Sequence, residues 1–145
     1  MIFRNKGEFS VVMAQDADLE PAVKASYYKN DFTGAIADAK KNKKQFVLIE
    51  FGAQWCPACL KFEHYVLSSE DFKTKYNQFT HLYIDYDWEG SKEYRDRYHI
   101  KDMPTIVLVN LKGDELERIH GYTTVKNFTD KLDAFLKSDK ATVAS

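Results

Sequence analysis

The chain has two cysteines, Cys56 and Cys59, and two residues lie between them. Thiols at this spacing can close a disulfide, and they can trade two electrons with another protein's disulfide through a mixed-disulfide intermediate. The apolar run 46–51 comes directly before the pair, and a helical pattern follows it. The pattern therefore predicts a redox pair of thiols at a junction between a strand and a helix.

A helix that begins at Cys56 would make that cysteine the reactive one. The unpaired backbone N–H groups and the positive dipole end of a helix favour a thiolate at its start. In such surroundings the pKa of a cysteine falls from about 8.5 to roughly 3.5–7.5. We therefore predict that Cys56 is the exposed nucleophile and that Cys59, one helical turn later, resolves the mixed disulfide. Pro57 suits the first turn, where its missing N–H would have no intrahelical partner.

Two other roles of a cysteine pair fit the sequence less well. Zinc needs two further ligands at short spacing. The four histidines have no such spacing and stand at His64, His81, His99 and His120. A static disulfide across so small a loop would restrain the unfolded chain little. Copper delivery lacks neighbouring Met and His ligands, so we predict redox chemistry with no metal and no other cofactor.

Glu50 interrupts the apolar run six residues before Cys56. Its side chain is either buried or turned out at the edge of the sheet. A buried carboxylate costs several kcal/mol unless it is protonated or has a partner. With a raised pKa, such a group could take the proton that Cys59 must lose before it attacks the mixed disulfide.

The remaining pattern predicts an α/β domain, with strands and helices on either side of the cysteine pair. Helices are expected over 31–43, 56–66, 68–76, 91–98 and 125–136, and strands over 46–51, 79–86, 105–110 and 115–120. Ser68 and Asp71 form a Ser-x-x-Asp start signal for the third helix. The length of 145 residues favours one domain. We place an N-terminal extension at 1–28, the domain at 29–137 and a flexible tail at 138–145.

Composition limits the partners. The chain is 44% hydrophobic and 30% charged, with a net charge of −1, which gives no electrostatic case for nucleic acid or an anionic membrane surface. No apolar stretch reaches the roughly 18 residues that span a bilayer, so no membrane insertion is expected. The segment 1–15 has a basic start and a short apolar run, and it fits a trimmed export signal, a cloning remnant or an ordinary strand.

A Trp-Cys-x-x-Cys motif at 55–59 and the stretch 98–105, followed by the apolar run 106–109, resemble the thioredoxin superfamily. The resemblance covers about residues 30–137 and implies the thioredoxin fold, an α/β fold with a central mixed sheet flanked by helices on both faces. The run 59–65 is most similar to the C-terminal periplasmic domain of the bacterial transmembrane reductase that passes electrons outward.

The resemblance also implies roles around the sulfurs. Trp55 would flank the substrate groove, and Pro104 would be a cis-proline that faces the disulfide. Met103 would offer its backbone to an extended substrate segment. The dipeptide Pro57 and Ala58 between the cysteines would tune the redox potential. Without the resemblance, Trp55 could cover the edge of the core, and Pro104 could simply start a strand.

The family also bears on two acidic residues, Glu50 and Glu63, and on the strand residues near them. An acidic residue, usually Asp, occupies the position of Glu50, and Glu63 would act with it to hold the cysteine pKa values. Otherwise Glu63 is a surface residue that pairs with Lys61 or His64. Thioredoxins often carry a lysine near the buried acid where this chain has His81 and Tyr83, so we assign no role to either.

Together these observations predict a monomeric thiol–disulfide oxidoreductase. Its partners would be protein disulfides or dithiols, with a membrane-bound electron donor as a further candidate. The resemblance favours a periplasmic or otherwise exported reductant. A cytosolic thioredoxin-type reductase and a binding module without turnover are the alternatives.

Overall fold

A five-stranded sheet organises residues 27–144, which are the residues that this computed structural model describes. The expectations for the extension up to residue 26 and for the segment 1–15 lie outside the described residues. In chain order the elements are β1 (Tyr28–Lys29), α1 (Phe32–Lys41), β2 (Phe46–Gly52), α2 (Pro57–Phe62) with a π-helical turn (Glu63–Leu67), α3 (Glu70–Lys75), β3 (Phe79–Asp85), α4 (Ser91–Arg97), β4 (Thr105–Val109), β5 (Glu115–His120), α5 (Val125–Lys137) and α6 (Asp139–Ala144).

The strand order is β1-β3-β2-β4-β5, which places β2 at the centre. Its neighbour β3 runs parallel to it, and β4 runs antiparallel. Every residue of β2 is buried, as expected for a strand that is covered on both faces. The mixed sheet with helices on both sides confirms the predicted architecture.

Side chains of β2 alternate between two cores. Phe46 and Leu48 point into a core with α2 and α5, which includes Phe62 and Phe128. Residues 47, 49 and 51 point into the other core, together with α1. By the same alternation Glu50 lies on the α2 face, so the helix that starts at the cysteines also covers this carboxyl group.

Local signals explain most of the element boundaries. Asp31 caps α1, and its carboxylate accepts a hydrogen bond from the Gly34 N–H at 2.9 Å. Thr124 caps α5 in the same way. The predicted start of α3 is one residue early, because Ser69 rather than Ser68 is the cap. The hydroxyl of Ser68 instead bonds the carbonyl of His64.

The structure corrects the prediction at the end of the chain. A flexible tail is expected from residue 138, but α6 extends over Asp139–Ala144. Ala141 is 7% exposed and belongs to the core on the α2 face. Lys140 forms an ion pair with Glu117 on β5. A polar sequence thus becomes ordered because one small apolar side chain is packed and one charge is paired.

Candidate active site

Cys56 and Cys59 form a disulfide, with their Cα atoms 5.2 Å apart. Cys56 is the N-cap of α2, where the chain is still extended (φ −100°, ψ 106°). Its Sγ accepts a hydrogen bond from the backbone N–H of Cys59 at 3.2 Å. The same N–H, in the first helical turn, also bonds the Cys56 carbonyl at 3.0 Å. A backbone donor of the helix start therefore points at this sulfur, which is the arrangement that stabilises a thiolate there after reduction.

Cys56 is not exposed in the way that the sequence predicts. Only 7% of it is accessible in this disulfide form, and Cys59 is fully buried. The two sulfurs cover each other, and Ala58 and Met103 pack against them. Of the two cysteines, Cys56 is nevertheless the one that keeps some exposed surface.

The loop before β4 lies against the disulfide. The peptide bond between Met103 and Pro104 is cis, as the resemblance implies. The carbonyl oxygen of Met103 lies 4.0 Å from Cys56 Sγ. The carbonyl of Pro104 accepts a hydrogen bond from the Gly121 N–H at 2.8 Å, which ties the loop to the end of β5. Residues 47 positions apart in sequence thus meet at one sulfur.

Trp55 stands out of the surface next to the disulfide, with 60% of it exposed. Its indole N–H donates a hydrogen bond to the carboxylate of Asp87 at 2.8 Å. Its ring meets Tyr86 edge-on, with centroids 6.1 Å apart. The guanidinium of Arg95 lies over the Tyr86 ring, 4.1 Å from its centroid. A hydrogen bond and ring contacts therefore fix an exposed tryptophan in one position.

Asp87 and Tyr86 are neighbours of the site that the motifs in the sequence do not reveal. A signal for them is their position just after β3, which runs parallel to β2. Neighbouring parallel strands end on the same side of a sheet, so the residues after β3 come close to those after β2. Pro57, at the first position of α2, is exposed, and Ala58 is half-buried.

Glu50 is buried, with 1% of it exposed. Its Oε2 atom has no hydrogen-bond partner among residues 27–144. Burial raises the pKa of Glu50 to about 7, against a smaller lowering by a hydrogen bond with Glu63. Near neutral pH this carboxyl group can therefore both accept and release a proton.

Gly52 leaves space between this carboxyl group and the inner cysteine. A Cβ atom at Gly52 would lie 3.2 Å from Glu50 Oε2 and 3.4 Å from Cys59 Sγ. It would also lie 3.2 Å from a ring carbon of Tyr83. The Glu50 carboxyl group and the Cys59 sulfur therefore border the same space, and that space is free because residue 52 is a glycine without a Cβ atom.

Glu63, the first residue of the π-helical turn, is half-buried rather than on the surface. It is close enough to Glu50 for a hydrogen bond between the two side chains. In the π-helical turn the Ser68 N–H bonds the Glu63 carbonyl at 3.1 Å, five residues back. Such turns widen a helix locally and are frequent at functional sites. The two acids that the resemblance pairs are in contact.

His81 and Tyr83, to which the sequence analysis assigns no role, lie beside these acids. His81 Nε2 is 3.7 Å from Glu50 Oε1. Burial lowers the pKa of His81 to about 4, although the charge of Glu63 acts in the opposite direction. Burial also raises the pKa of Tyr83 far above its ordinary value. A signal for His81 is the lysine that thioredoxins often carry near the buried acid at this place. The strand register, which a single sequence does not contain, brings the His81 ring to Glu50.

The family follows from a comparison with known proteins. A family model described as a thioredoxin-like domain matches residues 32–136, which is more than half of the chain. This chain belongs to the thioredoxin-like domain family. The cysteine pair at the start of α2 and the cis-proline loop are therefore features of a thioredoxin-like domain, and the predicted superfamily is confirmed.

Two relatives have names that refer to thiol–disulfide chemistry. The thioredoxin-like domain is 28% identical over 96 residues to the thiol:disulfide interchange protein DsbD of Pasteurella multocida (strain Pm70), and the match covers 63% of this chain. It spans only 17% of that relative's length. It is 22% identical over 110 residues to the disulfide bond reductase DsbH of Chlamydia pneumoniae, covering 68% of this chain and 66% of DsbH.

Solved structures show the same fold. A thioredoxin from Thermus thermophilus superposes with a TM-score of 0.66 at 22% identity, covering 77% of this chain and 88% of the thioredoxin. The predicted thioredoxin fold is thus confirmed. Identity at this level supports the fold and not a particular activity.

The described residues were searched for metal-binding groups and for membrane-spanning helices. Within residues 27–144, no group of three His, Cys, Asp or Glu side chains is arranged to hold a metal ion. No helix in the same range has the length and apolar character needed to cross a membrane. The predicted site residues lie in two groups, one around the disulfide on the surface and one of acids beneath Cys59.

Proposed function

We propose that this thioredoxin-like domain is a protein thiol–disulfide oxidoreductase that uses Cys56 and Cys59. The observation that carries the proposal is the disulfide at the N-terminus of α2 with the cis-proline loop against it. Helix and loop give the two sulfurs unequal surroundings, because one accepts a backbone hydrogen bond and the other is fully buried. Such a pair suits stepwise exchange.

In the first step the thiolate of Cys56 attacks one sulfur of a partner disulfide. A mixed disulfide forms, and the partner's other sulfur leaves as a thiolate. The Cys59 N–H stabilises the attacking thiolate. The exposed face of Trp55, the adjacent Pro57 and Ala58, and the backbone of Met103 and Pro104 form the surface on which an extended partner segment binds.

In the second step Cys59 resolves the mixed disulfide. Its thiol gives its proton to the carboxylate of Glu50, across the space that Gly52 leaves. The thiolate then attacks Cys56 Sγ, the partner leaves with both sulfurs reduced, and the Cys56–Cys59 disulfide remains. Two electrons have moved from this domain to the partner. Glu63, hydrogen-bonded to Glu50, modulates the proton affinity of the acceptor.

We propose that the domain donates electrons and reduces disulfides of exported proteins. The support is the likeness to a protein named as an interchange protein and another named as a disulfide bond reductase. A donor dithiol must then reduce the Cys56–Cys59 disulfide after each turnover. A membrane-bound donor outside the cytoplasm fits this role, and the domain works as a monomer in this scheme.

Insulin reduction tests the proposed function. With dithiothreitol as the reductant, the wild-type protein should accelerate precipitation of the insulin B chain, and Cys56→Ser should abolish the acceleration. Cys59→Ser is the matched variant, because it keeps the attacking thiolate and loses only the resolving thiol. Reduced beforehand and mixed with insulin in the absence of dithiothreitol, this variant should accumulate a mixed disulfide that mass spectrometry detects. Equal rates for Cys56→Ser and wild type would instead indicate a binding module without turnover.

A further inference from the structure

His81 is a basic residue that lies beside the buried acid. Among the described residues it is the one basic side chain within ion-pair distance of Glu50, with Nε2 3.7 Å from Oε1. The side chain of His81 is 17% exposed, whereas that of Glu50 is 1% exposed. The imidazole therefore extends from the buried carboxyl group to a position that solvent reaches.

The strand register explains why these two residues meet. Glu50 on β2 is opposite Tyr83 on β3, and His81 stands two residues before Tyr83. Residues two apart on a strand share a face, so His81 and Glu50 are diagonal neighbours under α2. His81 pairs in register with Leu48, an apolar core residue. An ionisable ring at that position has an energetic cost, because it loses contact with water.

The Nε2 atom of His81 is buried and has no hydrogen-bond partner among the residues that the structure describes. The O–H of a protonated Glu50 can donate a hydrogen bond to an acceptor nitrogen at about 2.9 Å, so a side-chain movement of about 1 Å joins the two groups. A buried ring nitrogen without a hydrogen-bond partner, 3.7 Å from a carboxyl oxygen, is costly unless the two groups exchange a proton or share one.

Other groups that face the pair come from every neighbouring element. Glu63 lies on the π-helical turn, Tyr83 on β3 and Cys59 on α2. The ring of Tyr27, just before β1, is 5.3 Å from the His81 ring, and that of Phe72 on α3 is 6.5 Å away. The ionisable groups named here are the carboxyl groups of Glu50 and Glu63, the phenols of Tyr27 and Tyr83 and the cysteine Cys59, so His81 is the basic group among them.

We propose that His81 carries the proton of Glu50 to and from solvent during resolution by Cys59. The inference rests on the proposed function and deepens it. After Glu50 accepts the proton of Cys59, its O–H bond breaks and the proton moves to His81 Nε2, in the tautomer with hydrogen on Nδ1. The imidazolium then releases a proton to water. Glu50 is again a carboxylate and is ready for the next turnover.

The direction of the two pKa shifts fits this role. Burial keeps the His81 ring neutral near pH 7, so it can accept a proton, and burial keeps the Glu50 proton available in the same pH range. Transfer from the acid to the ring is uphill, so the imidazolium is a short-lived carrier and not a resting state. His81 is a positioning residue, since it acts on Cys59 only through Glu50.

Two substitutions with opposite effects test the proposal. His81→Phe replaces the polar ring beside Glu50 with an apolar ring that still packs against Tyr27 and Phe72, so the carboxylate loses solvation and the Glu50 titration midpoint should rise by about one pH unit. His81→Lys places a cation beside the carboxyl group, and the midpoint should fall by about one pH unit or more. The midpoint is read from carboxyl carbon NMR of the oxidised protein, with Glu50→Gln to assign the signal.

The second measurement is the rate of mixed-disulfide resolution against pH, followed by stopped-flow fluorescence of Trp55. Its midpoint should shift in the same direction as the NMR midpoint in each variant, and at pH 6 the rate of His81→Phe should fall about tenfold. His99→Asn is the control, because it removes an exposed histidine whose positive φ of 53° asparagine tolerates.

Every outcome separates the two proposals. NMR midpoints that do not move overturn the coupling of His81 to Glu50. Midpoints that move while the pH dependence of resolution stays unchanged overturn the proton-carrying role, because His81 would then be only a neighbour. A wild-type protein that exchanges no thiols overturns the proposed function, and the NMR titration still reports on the His81–Glu50 pair without turnover.

Discussion

At the scale of single residues, the site depends on a carboxyl group in an apolar strand. Glu50 occupies a position on β2 where all its neighbours along the strand are buried. Taking a carboxylate out of water disfavours its charged form, and this raises the pKa of Glu50 from 4.5 to about 7. The same burial that makes it a proton acceptor near neutral pH must therefore lower the stability of the folded protein when the group ionises.

Glu50→Gln should show this cost as a pH dependence of stability. Between pH 4.5 and 7 the folded wild type keeps a proton that the unfolded chain releases, so its stability falls as the pH rises. The glutamine variant lacks this loss. Its free energy of unfolding relative to wild type should therefore increase by about 3 kcal/mol from pH 4 to pH 8. Urea unfolding at several pH values measures the difference.

Glu89→Gln, an exposed carboxylate outside the site, is the control for that series. Its difference from wild type should stay flat with pH. Glu50→Gln should also change the pH profile of resolution by Cys59 while Cys56 still attacks. A flat stability difference for Glu50→Gln would mean that Glu50 ionises normally in the folded state, and an unchanged resolution profile would remove it from the mechanism.

At the scale of elements, the site is a meeting of loops at one edge of the sheet. The loop after β2 carries Trp55, and the loop after β3 carries Asp87, which accepts its indole hydrogen bond. Since β2 and β3 are parallel neighbours, their loops leave the sheet on the same side. An exposed aromatic ring that is held in place loses little conformational entropy when a partner binds it.

Asp87→Ala should weaken partner binding and spare the chemistry. The loss of one charge-assisted hydrogen bond frees the Trp55 ring, and KM for a protein disulfide should rise about threefold to tenfold. The kcat should stay unchanged, because Asp87 does not touch either sulfur. Asp130→Ala on α5, where the carboxylate pairs with Lys126, is the matched control. A fall in kcat with unchanged KM would show that Asp87 acts on the cysteines instead.

At the scale of the whole molecule, the sheet places two acids beneath the disulfide. Glu50 on β2 and Glu63 on the π-helical turn converge under Cys59 because α2 crosses the same face of the sheet. Negative charge there opposes formation of a thiolate, whereas the Cys59 N–H favours it at Cys56. A stabilised reduced form makes a dithiol pair oxidising, so the acids move the potential in the reducing direction.

The redox potential is therefore expected near the thioredoxin value of about −270 mV and far from the strongly oxidising value of about −120 mV. Equilibration against glutathione and dithiothreitol buffers, with the oxidised fraction read from Trp55 fluorescence, measures it. A combined Glu50→Gln and Glu63→Gln variant should be less reducing. A wild-type value near the oxidising end would contradict the reductant role.

Much of the fold was predictable, because hydrophobic periodicity depends on neighbours along the chain. The central strand and the final helix follow their patterns closely, at Phe46–Gly52 and Val125–Lys137. The prediction of a flexible tail was wrong, because Ala141 packs against core residues that are distant in sequence. The start of α3 was one residue early because two adjacent serines offer the same capping signal.

The cysteine pair, the strand before it and the helix after it were predictable from residue spacing and local periodicity. The sequence also singled out Glu50, because a charge in an apolar strand is visible without coordinates. Coordinates were needed to show that His81 lies 3.7 Å from the Glu50 carboxyl group and that Asp87 accepts the indole hydrogen bond of Trp55. Contacts between strands depend on register, and register is set by the packing of the whole sheet rather than by neighbours along the chain.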